Sequence, residues 1–234
     1  MRVELGRTHI GVAIFKQTLN WLIKILEMPC YRYPRIYFQK QMSIMMNDAK
    51  VAKYNWVYQI KKIFFEPIGE TSMWDNLNSA LLLDQKQRLC EKYENYLYYE
   101  DIEQCKKSSS LIVFHEFDLQ KGMQQYFKIK LPLKILQVIS QVRLINNINC
   151  RIVCDSEIYR LGNSSFCYLC SKPNSFLYTI IDCLHFKEYR IRFKLPIKDN
   201  FDLDFFAILE NPNNKLIRKF IALIKNILCN YNNI

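Results

Sequence analysis

The chain has 234 residues, half of them hydrophobic and 14% aromatic, which is enough apolar material for one or two packed domains and excludes global disorder. Five glycines and seven prolines are few for an all-β sandwich and point to a mainly α fold. The formal net charge is +11, and the most apolar early stretch, Ile10 to Leu26, is interrupted by Lys16, Gln17, Asn20 and Lys24, so it reads as an amphipathic helix rather than a membrane span or signal peptide.

The charge is uneven. Residues 1–62 hold 11 Lys/Arg against 3 Asp/Glu, whereas residues 63–110 hold 5 against 9. A basic segment attracts polyanions, and inside cells that means RNA or DNA first; the plain alternative is a solvated basic surface without a partner. Nine cysteines, an odd number, are scattered along the chain instead of forming a dense framework. They read as reduced thiols of an intracellular protein.

In chain order, the apolar spacing of Ile10, Ile14, Trp21, Leu22, Ile25 and Leu26 predicts a helix over residues 9–27, ended by Pro29. Tyr33-Pro34 opens a second helix to about Met46, with Ile36, Tyr37, Ile44 and Met45 as its apolar positions. Asn47-Asp48 marks a turn. Residues 53–65 form a third helix with Trp56, Val57, Ile60, Phe64 and Phe65 inward. A short helix from Trp74 to Leu83 and a longer one from Asp84 to Cys105 follow. Glu100 and Asp101 are adjacent on that helix and point to different sides, so they are not a catalytic carboxylate pair. Lys106 to Ser110 reads as a linker. It divides a basic-then-acidic helical region, 1–107, from a second helical region, 108–234.

Leu111 to Phe117 is β-prone, and Gln124 to Leu131 alternates weakly. Pro132 opens a helix to about Leu144, and Ile148 to Tyr159 is strand or loop. Phe193 to Ile197 reads as extended. Asn213 or Asn214 caps a buried terminal helix, Lys215 to Cys229.

The stretch with the most chemistry is 166–190. Cys167 and Cys170 form a Cys-x-x-Cys pair, which brings two thiolates to one side of a tight turn, as a tetrahedral metal requires. Cys183 and His185 complete a Cys3His set, so the implied cofactor is zinc. Reduced structural cysteines without metal are the bland reading. A redox pair is a third, disfavoured because no βαβ pattern surrounds it. Cys150 and Cys154 are outlying candidates. The rest of the chain holds no Gly-rich phosphate loop and no evident nucleophile.

The order of these segments resembles the C-terminal, post-polymerase region of reverse transcriptases from insect LINE-type (non-long-terminal-repeat) retrotransposons. The resemblance rests on ELGR at 4–7, Trp21, Tyr33-Pro34-Arg35-Ile36, Tyr54-Asn55-Trp56 with Gln59, and Trp74. It continues through Gln141-Val-Arg143-Leu144, Cys167, Cys170, Cys183 and Arg190 to Leu209–Asn211 and Phe220-Ile221. It implies a CCHC-like zinc knuckle, but the family's His position falls on Tyr178, and Leu184 stands where a Pro is common. It implies no catalysis here, since the polymerase and endonuclease carboxylates are absent. It also implies that RNA or DNA is bound, with Lys187, Arg190, Arg192 and Lys194 on phosphates and Tyr168, Phe186 and Tyr189 on bases or around the metal site. The reading from another class is a helical scaffold or protein-interaction module with structural cysteines.

Overall fold

The computed structural model describes residues 2–47, 54–108, 111–117, 119, 121–146, 150–154, 156–161, 166–167, 170–172, 175–195, 205–210 and 213–232. It is mainly α, as composition predicts, and divides into two units. The boundary falls between Asp101 and Ile102, inside a helix, and residues 1–7 belong with the C-terminal unit rather than with the helices that follow them. Composition cannot reveal that assignment, because it depends on a long-range pairing described below.

The first short helix, α1 (Arg2–Leu5), belongs to the C-terminal unit. The N-terminal unit, Thr8–Asp101, begins with α2 (Ile10–Glu27), whose first turn is capped by His9: its Nδ1 accepts the Gly11 N–H at 2.8 Å. The predicted inward stripe of α2 is displaced. Phe15, Leu19, Leu22, Ile23 and Ile25 are buried, whereas Ile10, Ile14 and Trp21 are exposed. This helix is apolar on more than one face, and the aromatic core selects the face carrying Phe15. The Phe15 ring stacks on Phe64 at 4.9 Å and meets Phe65 edge-on at 5.8 Å.

Helix α3 (Tyr33–Asn47) likewise buries Phe38 and leaves Ile36 and Tyr37 exposed. Met45 and Asp48, named above, lie outside what the structure describes of side chain and backbone respectively. Helix α4 (Trp56–Ile60) is positioned by Asn55, which is buried. Its Oδ1 accepts the Val57 N–H at 2.9 Å, and its Nδ2 donates to the Gln41 carbonyl of α3 at 2.7 Å. One polar residue therefore starts a helix and ties it to its neighbour, a physical reason for the Tyr54-Asn55-Trp56 motif. The helix then widens into a π-helical turn, Lys61–Phe65, which turns Phe64 and Phe65 inward.

After α5 (Thr71–Asp75) comes one long helix, α6 (Ser79–Lys107), instead of two elements meeting at Leu83. The break falls earlier because the Asn78 side chain accepts the Ala80 N–H at 2.8 Å and caps α6 there. Glu70, buried ahead of α5, pairs with Arg88 and Lys92 of α6. The Lys92 hydrogen bond, against the cost of burial, holds its carboxyl below the usual carboxylate range.

In the C-terminal unit, α7 (Ile112–His115) replaces the strand expected over 111–117, and α8 (Gln125–Lys128) replaces the weak alternation. Val113, Phe114, Phe117 and Tyr126 are all buried, so tertiary packing overrides β propensity. Pro132 stands just ahead of α9 (Leu133–Arg143), as predicted. The ambiguous stretch resolves into an antiparallel hairpin, β1 (Arg151–Cys154) and β2 (Glu157–Arg160), with Ile152 facing Tyr159 across the ladder. Of the extended segment expected at 193–197, Phe193 instead ends α10 (Lys187–Phe193) and Lys194 is left-handed, while residues 196 and 197 lie outside the described residues. Then come α11 (Phe205–Glu210) and α12 (Asn214–Asn232), whose first turn is capped by Asn213. Ile217, Phe220, Leu223, Ile224, Ile227 and Leu228 make the buried face of α12. Among the described residues no helix is long and apolar enough to cross a membrane.

At the centre of this unit lies a buried ion pair. Glu4 of α1 accepts from Arg143 Nε at 2.8 Å through one oxygen and from the Tyr126 hydroxyl at 2.9 Å through the other. Both charged side chains are no more than 2% exposed. The Arg143 guanidinium lies 3.9 Å over the Phe117 ring and donates to the Leu209 carbonyl at 3.4 Å. Burial and the Glu4 charge push the Tyr126 hydroxyl well above the ordinary phenol range, so it stays a donor. Gly6 permits the approach of the N-terminal segment. It has φ +61°, and a Cβ there would stand 2.2 Å from the Met123 nitrogen.

The pair predicts a specific pattern in denaturant unfolding. Arg143→Met alone leaves the Glu4 carboxylate buried and unpaired and costs about 3–5 kcal/mol, whereas Glu4→Leu combined with Arg143→Met recovers most of that loss. A double variant as unstable as the sum of its singles would contradict this account.

Candidate metal centre

The centre is built by two local devices. The first is the turn after Cys167: the Ser171 N–H donates to the Cys167 carbonyl at 2.7 Å, and the Cys167 N–H donates to the Lys172 carbonyl at 2.8 Å. These two bonds fold Cys170 back over Cys167. They also force Ser171 to φ +57°, a left-handed conformation that costs a residue with a Cβ about 1–2 kcal/mol. The second device is a wide turn. Ser175 caps it, its Oγ accepting the Tyr178 N–H at 3.1 Å, and Tyr178–Asp182 then continues with π-helical spacing. The Cys183 N–H closes it on the Tyr178 carbonyl at 2.8 Å. Tyr178 and Cys183 thereby reach the same side, facing Cys170.

The result is a cluster in which the sulfurs of Cys167, Cys170 and Cys183 all lie within 4.8 Å of one another. Cys170 and Cys183 are 3.9 Å apart, Sγ to Sγ. That is far beyond a disulfide bond, and it matches the separation of about 3.8 Å that two thiolates need when each stands about 2.3 Å from one tetrahedral ion. The three cysteines are close enough to bind a metal ion. Cys167 and Cys183 are fully buried.

Tyr178 lies beside this group, its hydroxyl 2.8 Å from Cys170 Sγ. Burial opposes ionisation of Cys170, but the Tyr178 hydroxyl, the Lys172 backbone N–H and the other two cysteines outweigh it and hold its pKa below the ordinary thiol value. Burial pushes Cys183 the other way, up to about 11, although the His185 backbone N–H favours its thiolate. Tyr178 is raised by burial and by its bond to Cys170, so it serves as a proton donor. The cluster thus holds one thiol poised to ionise beside two buried ones.

The other residues predicted for the site divide clearly. His185 contributes its backbone rather than its ring: the side chain is exposed and lies edge-on to Phe186, with centroids 5.4 Å apart, outside the cysteine group. Arg190, expected on phosphate, is turned inward. It is 7% exposed, and its guanidinium donates to the Cys183 carbonyl at 2.7 Å and to the Ile180 carbonyl at 3.4 Å. It satisfies the backbone acceptors at the end of the π-helical turn and fixes the third cysteine from behind. Lys187, Arg192 and Lys194 are exposed on and just after α10, and Tyr189 is half-buried against Phe186. Tyr168 lies outside the described residues. Cys150 and Cys154 are buried in and beside the hairpin, away from the cluster, and burial raises Cys150 to about 12. Spacing alone does not reveal the left-handed turn at Ser171 or the contact of Tyr178 with Cys170.

No protein-family model, no curated protein and no solved structure matches this chain.

Because Ser171 sits in the left-handed region on the turn that sets Cys170, Ser171→Gly is expected to stabilise the folded protein by up to about 1 kcal/mol in denaturant titration. A loss of stability would mean that the Ser171 side chain makes a contact worth more than the strain.

Proposed function

We propose that this chain is a non-catalytic nucleic-acid-binding protein, similar to the post-polymerase region of LINE-type reverse transcriptases, in which the cysteine knuckle holds zinc. The observation that carries the reading is the placement of α10 directly after Cys183. Its buried Arg190 braces the cysteine cluster while Lys187, Arg192 and Lys194 point to solvent. A metal-stabilised knuckle with exposed cations on the adjacent helix is an arrangement suited to a sugar–phosphate backbone. The net charge of +11 and the basic segment 1–62 support the same polyanionic partner. Zinc is favoured over harder ions by the three sulfur donors. Zinc would draw protons from the thiols, and Cys170 already loses its own more readily than Cys183. An intracellular compartment follows from this reading, since RNA, DNA and reduced thiols are found together there.

The rival reading is a helical scaffold or protein-interaction module. One observation favours it: an open cavity of about 670 Å³ in the C-terminal unit, lined largely by apolar side chains including Leu5, Phe127, Leu133, Leu136 and Leu144. Apolar docking there would respond little to salt.

Salt dependence separates the two. Nucleic-acid affinity should fall linearly on a log–log plot against salt concentration, because phosphate contacts release counterions. Charge reversal of Lys187, Arg192 and Lys194 together should reduce the magnitude of that slope by about 3. A slope near zero in the wild type would overturn the reading, and an unchanged slope in the triple variant would remove α10 from it.

A further inference from the structure

The N-terminal unit carries a feature that the knuckle does not use. Trp21, Ile25, Tyr33, Pro34, Tyr37 and Trp56 line an open groove of about 410 Å³. Its back wall is anchored in the core: Trp56 meets Trp21 at 4.9 Å and Phe38 at 5.9 Å, and Phe38 is buried. Its rim is held out in solvent, with Tyr33 77% exposed, Trp21 45% and Tyr37 44%. Large aromatic rings are rarely left this open in a row without a ligand.

The geometry and charge narrow the ligand. Tyr33 and Tyr37, one helical turn apart, lie within 10° of parallel with centroids 6.4 Å apart. Near-parallel exposed rings offer faces on which unpaired bases can stack. From Thr8 to Asn47 the sequence holds Lys16, Lys24, Arg32, Arg35 and Lys40 against one acidic residue, Glu27. Arg32 precedes Tyr33, and Lys24 is one helical turn from Trp21, so cations stand beside the lining residues. Proline-rich peptides also seek aromatic grooves, but they do not call for surrounding positive charge. Unpaired nucleic acid calls for both: rings for its bases and cations for its phosphates.

We propose that this groove binds unpaired bases of single-stranded RNA or DNA. Tyr33 and Tyr37 stack on bases, and the exposed Arg32 beside Tyr33 meets an adjoining phosphate. The ligand class rests on the reading of the chain as a nucleic-acid binder, whereas the location and the selectivity for single strands are independent of the cysteine knuckle.

The test uses the full chain with a short oligothymidylate and a duplex of equal length. Tyr33→Leu with Tyr37→Leu should weaken single-strand binding about 10-fold or more and leave duplex binding unchanged. Arg32→Glu, at an exposed position, should weaken single-strand binding in a variant whose rings are intact. Oligothymidylate should also quench tryptophan fluorescence; Trp74 is fully buried, so the quenching reports on Trp21 and Trp56. Undiminished single-strand binding in the variants, equal loss on duplex and single strand, or quenching by a proline-rich peptide but not by the oligonucleotide would overturn the inference. Duplex binding without single-strand binding would overturn it while leaving the proposed function standing, and binding of neither would overturn both.

Discussion

The ion pair between Glu4 and Arg143 is the constraint on which the C-terminal unit depends. Two opposite charges at no more than 2% exposure are tolerated only together, because either alone would sit in a low-dielectric interior without compensation. Their attraction is largely offset by the loss of hydration, so what they contribute is a choice of partners more than net stability. Glu4 can satisfy its two oxygens only where Arg143 and Tyr126 converge, and Arg143 in turn reaches the Leu209 carbonyl and the Phe117 ring. Four separate segments are thereby registered on one charge. Gly6 completes the arrangement by letting the chain pass against the backbone of Gly122 and Met123.

The cysteine centre applies the same logic on a smaller scale. A buried Arg190 takes up the carbonyls left by the π-helical turn, and this holds Cys183 where Cys170 and Cys167 can share a ligand with it. Ser171 accepts backbone strain to bring Cys170 into range. Strain and a buried cation are costs that a merely structural cysteine cluster does not require. They make sense if the cluster has a geometry to maintain.

Much of the helical skeleton is legible from residue types. Pro132, Asn213 and the apolar period of the last helix are local signals, and the structure places α9 and α12 accordingly. The motif pieces ELGR and Gln141-Val-Arg143-Leu144 are also visible, but their meaning is not. That Glu4 meets Arg143 is a fact about residues 139 apart, and no period or propensity encodes it. The α2 stripe was displaced for a related reason. Ile10, Ile14 and Trp21 are as apolar as the residues that are buried, and only the partner Phe64 and Phe65 rings decide between faces. At the knuckle, Cys167, Cys170 and Cys183 are legible from spacing. Arg190 and His185 are not: a cation and an imidazole read as ligands or contacts until burial shows one turned inward and the other turned out.

The account turns on whether the sulfurs of Cys167, Cys170 and Cys183 surround a single zinc ion. X-ray absorption at the zinc edge, on the purified full chain, examines that directly. The wild type should show three sulfur neighbours at about 2.3 Å and no imidazole pattern, and Cys170→Ala should lose one of the sulfurs. A wild-type protein that folds without zinc would contradict the account. So would an imidazole pattern in the wild type that disappears in His185→Ala.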